Sequence, residues 1–195
     1  MIRILKYGEM PLEEILFRGE TSASREVEDT VAAILADVKE NGDAAVKSYC
    51  LKFDGFAPEQ LRVSEEEIEQ AYASADSGFI KTLELARENI EAFHKRQLRT
   101  NFVINDRDGV VLGQKITPIQ NVGFYVPGGT ASYPSSLLMD SVPAVLAGCK
   151  RIVMVSPPGR DGKISAPILA AARVAGVTDI FKVGGAQAIG ALACG

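Results

Sequence analysis

The feature that most constrains this chain is the alternation that runs from residue 122 to its end. Residues 122–126 read as a strand, followed by Pro127-Gly128-Gly129. Residues 135–147 read as a helix that Pro143 is expected to kink. A second strand over 152–155 leads into Pro157-Pro158, and a second helix over 165–175 has Pro167 in its first turn and Gly176 as its stop. A third strand over 180–183 meets Gly184-Gly185-Ala186-Gln187 and opens a last helix. Strands and helices alternating at this spacing require a parallel sheet with right-handed crossovers. The predicted class is α/β, and the unit is one mononucleotide-binding half of a doubly wound, Rossmann-like sheet.

The first half follows a different period. Val27, Val31, Ile34, Leu35 and Val38 fall on one helical face after Ser24, a helix N-cap, and Asn41-Gly42 stops that helix. Asp43 can cap a second helix with the face Val46, Tyr49, Cys50 and Phe53. Ser64-Glu65-Glu66-Glu67 spells a capping box. A longer helix then carries Phe79, Leu83, Ala86, Ile90 and Phe93. Two β-rich runs around Asp108-Gly109 signal a hairpin. The expected organisation is a helical arm over 1–20, a helical and hairpin part over 21–121, and an incomplete Rossmann-like unit over 122–195.

Charge divides the chain in the same place. Residues 1–100 hold 13 of the 21 basic and 20 of the 25 acidic side chains, which leaves the second half mildly positive. That balance suits a phosphate-bearing ligand and is too weak for nucleic acid, which needs a dense basic face. No apolar run approaches a membrane span, and the first twenty residues carry acids and no long apolar core of a secretory signal. The three cysteines, Cys50, Cys149 and Cys194, are widely spaced and odd in number, which fits a reducing cytoplasm rather than a disulfide framework. With one histidine and no Cys-x-x-Cys pair, the usual zinc spacings are absent.

Ligands of parallel sheets bind beyond the carboxyl ends of the strands. Two turns meet that condition, one beginning at Tyr125 and one carrying Gln187. Tyr125 offers a ring for stacking and a hydroxyl, and Gln187 offers a donor and an acceptor. Glycines beside them let a ligand approach backbone amides, and the following helix starts favour a pyrophosphate. Neither turn is Gly-x-Gly-x-x-Gly, and no acid ends the second strand to take a ribose hydroxyl, so the same glycines also read as tight turns alone. His94 reads better as a boundary histidine than as a catalytic one, and Cys149 better as a buried structural thiol than as a nucleophile. Ser132, Ser135 and Ser136 either face the crevice or cap the next helix. Glu65–Glu67 is a solvated helix start. The last helix runs about three turns without a cap. Two readings stand on periodicity alone: the N-terminal portion of a longer protein, or a short final helix.

The blocks "VGFYVPGGTASYPSSLLMDSVPAVLAGCKRIVMVSPP" and "VTDIFKVGGAQAIGALACG" resemble histidinol dehydrogenases, as do "VKENGDAAVKSYCLKFDGF" and "NIEAFHKRQL". The resemblance runs from about residue 20 to the end. It implies an NAD- and zinc-dependent homodimer that oxidises L-histidinol through L-histidinaldehyde to L-histidine, with a fold akin to aldehyde dehydrogenases. By this resemblance Tyr125 and Gln187 are cofactor contacts. Family members are longer, and their zinc ligands and Glu-His general-base pair lie in the part that has no counterpart here. The resemblance therefore implies an N-terminal portion, inactive alone, with neither catalytic nor metal residues of its own. Two alternatives stay open: a short non-catalytic protein that binds a nucleotide or pairs with a subunit, and a related dehydrogenase for another hydroxyl substrate.

Overall fold

The computed structural model describes Gly8, residues 25–128 and residues 132–194. Apart from Gly8, the expected arm over 1–20 lies outside the described residues, as do the Ser24 cap and Gly129. The first helix, α1, spans Arg25–Asp54 and contains a break at Gly42, whose φ of 55° and ψ of −134° are not helical. The two helices expected on either side of Asn41-Gly42 are thus present as two segments joined across a kink. Ile34 and Val38 before the break, and Val46 and Cys50 after it, are buried as expected. Val27, Val31 and Phe53 are exposed instead. These three lie near the two ends of a 30-residue element whose packing partner, the last helix, has only 10 residues.

Helix α2 spans Glu65–Ser74, and its capping box forms in both directions. The Glu67 amide donates to Ser64 Oγ at 3.2 Å, and the Ser64 amide donates to Glu67 Oε2 at 3.1 Å. Lys182 Nζ also donates to both Glu67 oxygens at 2.8 and 2.9 Å, tying this helix start to the sheet. Helix α3 spans Ser77–His94, capped by Asp76, whose carboxylate accepts from the Phe79 amide at 2.9 Å. Leu83 is buried and Phe79, Ala86 and Ile90 pack beside it, while Phe93 at the helix end is 65% exposed, a departure from the expected seam.

Strands β1 (Phe102–Arg107) and β2 (Val110–Gln114) form the antiparallel hairpin around Asp108-Gly109. Strands β3 (Asn121–Tyr125), β4 (Arg151–Ser156) and β5 (Asp179–Lys182) form a parallel sheet in the order β3-β4-β5. Its crossovers are α4 (Pro134–Ala147), which contains Pro143 within one helix, and α5 (Ala166–Ala175). The segment before α2 closes the β5 edge: the Val63 amide donates to Ile180 O and the Lys182 amide to Leu61 O.

Alternation along the strands divides the core in two. Phe124, Met154 and Ile180 pack against Leu137, Ile168 and Leu169 of α4 and α5. Val155, Phe181 and Val183 pack on the other side, against Ile34, Val38 and Cys50 of α1 and Ala188 of α6 (Gly185–Cys194). Helices α2 and α3 lie outside α5 and α4. This position explains why Ala170, Ala171 and Ala172 of α5 are all buried: a helix covered on both sides is apolar all round. The architecture is a mixed α/β sandwich with helices on both faces of a parallel sheet.

Candidate cofactor site

Strand β3 presents Tyr125 at its carboxyl end. The next amide, of the fully buried Val126, donates to Val155 O at 2.9 Å, so the strand end is anchored where the ring emerges. Phe124 points to the α4/α5 side. Its neighbours therefore point to the α1/α6 side. Leu192 of α6 lies against Gly123 there, within 2.7 Å of where a Cβ would stand. Tyr125 shares this face and is 37% exposed. Burial raises its phenol above the ordinary value, and the charge of Asp54 adds to the rise, so Tyr125 is a neutral hydroxyl at physiological pH.

The glycine turns serve protein packing as well as the site. A Cβ at Gly128 would stand 2.5 Å from the Pro157 carbonyl oxygen, and one at Gly184 would stand 2.7 Å from Pro157 Cβ. The loops after β3 and β5 thus close on the proline that follows β4. The close approach that glycine permits at these two positions is taken by Pro157, not left open for a ligand. Gly185 differs. It begins α6 at φ +67°, and a Cβ on it would meet Gln187 Oε1 at 2.6 Å. The turn needs glycine both for its backbone and to let the Gln187 side chain fold back beneath the helix start.

Gln187 is 1% exposed, and its Oε1 has no hydrogen-bond partner among the described residues. A buried amide oxygen left unpaired costs about 1–3 kcal/mol. It sits at a helix start whose first amides have no intrahelical acceptor. Cys50 of α1 is fully buried beside it. Burial pushes the Cys50 thiol up and the Asp54 charge pushes it further, while a hydrogen bond with the Gln187 side chain partly offsets both. The thiol is neutral and does not act as a nucleophile.

The structure therefore brings Tyr125 and Gln187 to one edge and one face of the sheet, and adds Cys50 and Asp54. Sequence reading missed these two as site residues. The available signal was the four-residue step from the buried Val46 and Cys50 to the exposed Asp54 at the last position of α1. The other candidates fall elsewhere. His94 Nδ1 lies 2.6 Å from Gln97 Oε1 at the end of α3. Cys149 is half-buried rather than buried, at the turn that follows α4. Ser132 Oγ pairs with Ser165 Oγ at 3.0 Å, and α4 starts without a side-chain cap, so neither Ser135 nor Ser136 caps it.

A cleft of about 570 Å³ lies over the α1/α6 face of the sheet, reaching the amino edge at Asn121 and Arg151, with Asp43 and Lys47 beside them and Val155 and Val183 farther along it. It lacks the helix start and unpaired amide found at the carboxyl edge. Among the described residues, no group of three His, Cys, Asp or Glu side chains could hold a metal ion, and no helix is long and apolar enough to cross a membrane.

Known proteins match this fold and sequence. The family model described as histidinol dehydrogenase matches residues 17–195. A histidinol dehydrogenase of Bacillus licheniformis is 50% identical over 92% of this chain and 42% of its own length. One of Geobacillus kaustophilus is 49% identical over 95% of this chain and 45% of its own. The crystal structure of histidinol dehydrogenase from Elizabethkingia anophelis superposes with a TM-score of 0.86 at 36% identity, covering 95% of this chain and 43% of that one. The chain spans less than half the length of these relatives. Across that span, it belongs to the histidinol dehydrogenase family.

Proposed function

We propose that this chain carries part of the NAD site of an enzyme that oxidises L-histidinol through L-histidinaldehyde to L-histidine, the closing step of histidine biosynthesis. The observation that carries the reading is Gln187: a buried side chain whose Oε1 has no partner, at the first turn of α6 and on the face that presents Tyr125. NAD would supply the hydride acceptor. Tyr125 would stack its ring on the dinucleotide and donate its neutral hydroxyl. Gln187 Oε1 would accept from an O–H or N–H of the cofactor, which removes the cost of its unpaired state. The amides that open α6 would take pyrophosphate oxygens.

We read residues 122–195 as the first half of a Rossmann-like domain of the aldehyde dehydrogenase kind, and residues 21–121 as the helical and hairpin part of the same globular unit. The described residues do not form a zinc site, and zinc ligands and the general base are expected in the portion of the relatives that this chain does not span. Alone, the chain is expected to lack activity. The whole protein is expected to be a cytoplasmic homodimer.

The test is NAD binding by calorimetry to the whole protein and to its Tyr125→Ala and Gln187→Ala variants. Each substitution is expected to weaken binding by about tenfold, the equivalent of one good hydrogen bond or stacking contact. Unchanged affinity in both variants would refute the placement.

A further inference from the structure

The β1–β2 hairpin projects from the body as an arm. Every residue from Lys95 to Asn121, between the end of α3 and the start of β3, is exposed. Among the described residues, neither strand contributes to a core cluster. The arm is nevertheless closed along its length. Its ladder pairs Phe102 with Gln114 and Ile104 with Leu112, and at its base the Ile116 amide donates to Asn101 Oδ1 at 2.5 Å.

The register sorts the side chains of the arm onto two faces. Opposed residues in an antiparallel ladder share a face, and so do residues two apart along a strand. Phe102, Ile104, Val110 and Leu112 therefore lie together, and Val103 and Val111 lie on the other side with Gly113. The bulk is on the first face. Its four apolar side chains are between 43% and 62% exposed. They leave on the order of 400 Å² of apolar surface in water, the size at which a patch on a soluble protein marks an interaction site. A two-stranded ribbon cannot cover such a face by itself.

Charge indicates what covers it. The tip carries Asp106, Arg107 and Asp108, a net of one negative charge, and the base carries Arg96, Arg99 and Lys115, all positive. Among the described residues, none of these six is in an ion pair. An arm that is acidic at one end, apolar in the middle and basic at the other is complementary to itself turned around. A two-fold axis through the middle of the face lays two arms antiparallel, apolar face on apolar face, with each tip against the base of the other. The result has the apolar centre and polar rim of a specific interface.

We propose that Phe102, Ile104, Val110 and Leu112 form a dimerisation face, on which the whole protein docks the same arm of a second copy. Val103 and Val111 stay in water. The proposal rests on the reading of the whole protein as a homodimer and adds the surface that joins it.

Sedimentation equilibrium of the whole protein and its variants measures the dimer dissociation constant, with a melting curve for each. Leu112→Asp is expected to raise that constant at least about a hundredfold, because the interface would bury an unpaired charge. Val111→Asp, on the open face, should leave it unchanged. Asp108→Lys should raise it about tenfold, and adding Lys115→Asp to the same chain should restore it, because tip and base then attract again with the signs exchanged. This exposed pair decides the matter if Leu112→Asp does not fold. Three outcomes overturn the proposal while the homodimer reading survives. In the first, Leu112→Asp leaves the dimer constant unchanged; a lowered melting temperature would then show that the face is covered within one subunit. In the second, Val111→Asp weakens the dimer as much as Leu112→Asp does. In the third, Lys115→Asp fails to restore what Asp108→Lys loses. If the unaltered whole protein sediments as a monomer at micromolar concentration, the homodimer reading fails and the proposal fails with it.

Discussion

The β1–β2 hairpin and the β3–β5 sheet contain the same kind of main-chain pairing, yet they occupy opposite environments. Every residue of β1 and β2 is exposed, including Val103 at 71% and Val111 at 73%. In β4, only Arg151 is exposed. Net hydrogen-bond energy is modest because unfolded strands pair with water, so the ladder alone distinguishes neither region. What differs is cover: the sheet has α4 and α5 on one face and α1 and α6 on the other. A two-stranded hairpin without such cover is marginal in water. The comparison teaches where a precise site can be built. Tyr125 and Gln187 project from elements whose roots are fully buried, Val126 and Ala188 among them.

The largest test of this contrast is Met154→Ala. Met154 is fully buried in the middle strand, and its truncation should cost about 2–5 kcal/mol in urea unfolding. Gly128→Ala should come next, at about 1–3 kcal/mol, because the added methyl meets the Pro157 backbone rather than a side chain that can swing away. Glu67→Ala removes the acid that closes the capping box and holds Lys182, with an expected loss of about 1 kcal/mol. Burial pushes the Glu67 carboxyl up, but Lys182 and the Ser64 amide outweigh it and hold the group below the usual carboxylate range. A depressed carboxylate contributes stability that is full above that range and is lost as pH falls through the lower, folded value. The gap between wild type and Glu67→Ala should therefore close in unfolding curves taken below about pH 4.5. The smallest effect belongs to the hairpin: Val111→Ala should change stability by no more than about 0.5 kcal/mol. A loss there as large as that of Met154→Ala would break the comparison, since it would mean the hairpin is covered in solution.

Much of this was legible in the residues. Prolines and glycines punctuate the second half so regularly that the order of β3, α4, β4, α5, β5 and α6 follows from them. The Ser64–Glu67 box and the Asp108-Gly109 turn are local chemistry and formed where expected. What could not be read depends on distant partners. Periodicity gives the buried face of a helix but not the length of what covers it, hence the exposure of Val27, Phe53 and Phe93. The partner of Gly128 and Gly184 is Pro157, close to neither in sequence. Asp54 lies 71 residues before Tyr125, yet its charge acts on that phenol.

The cofactor is proposed to lie at the carboxyl edge of β3 and β5. A crystal structure of the whole protein with NAD tests it most directly. Dinucleotide density is expected against the Tyr125 ring, with a polar atom of NAD within hydrogen-bond distance of Gln187 Oε1. Density instead in the amino-edge cleft beside Asn121 and Arg151, with Gln187 Oε1 still unpaired, would contradict it.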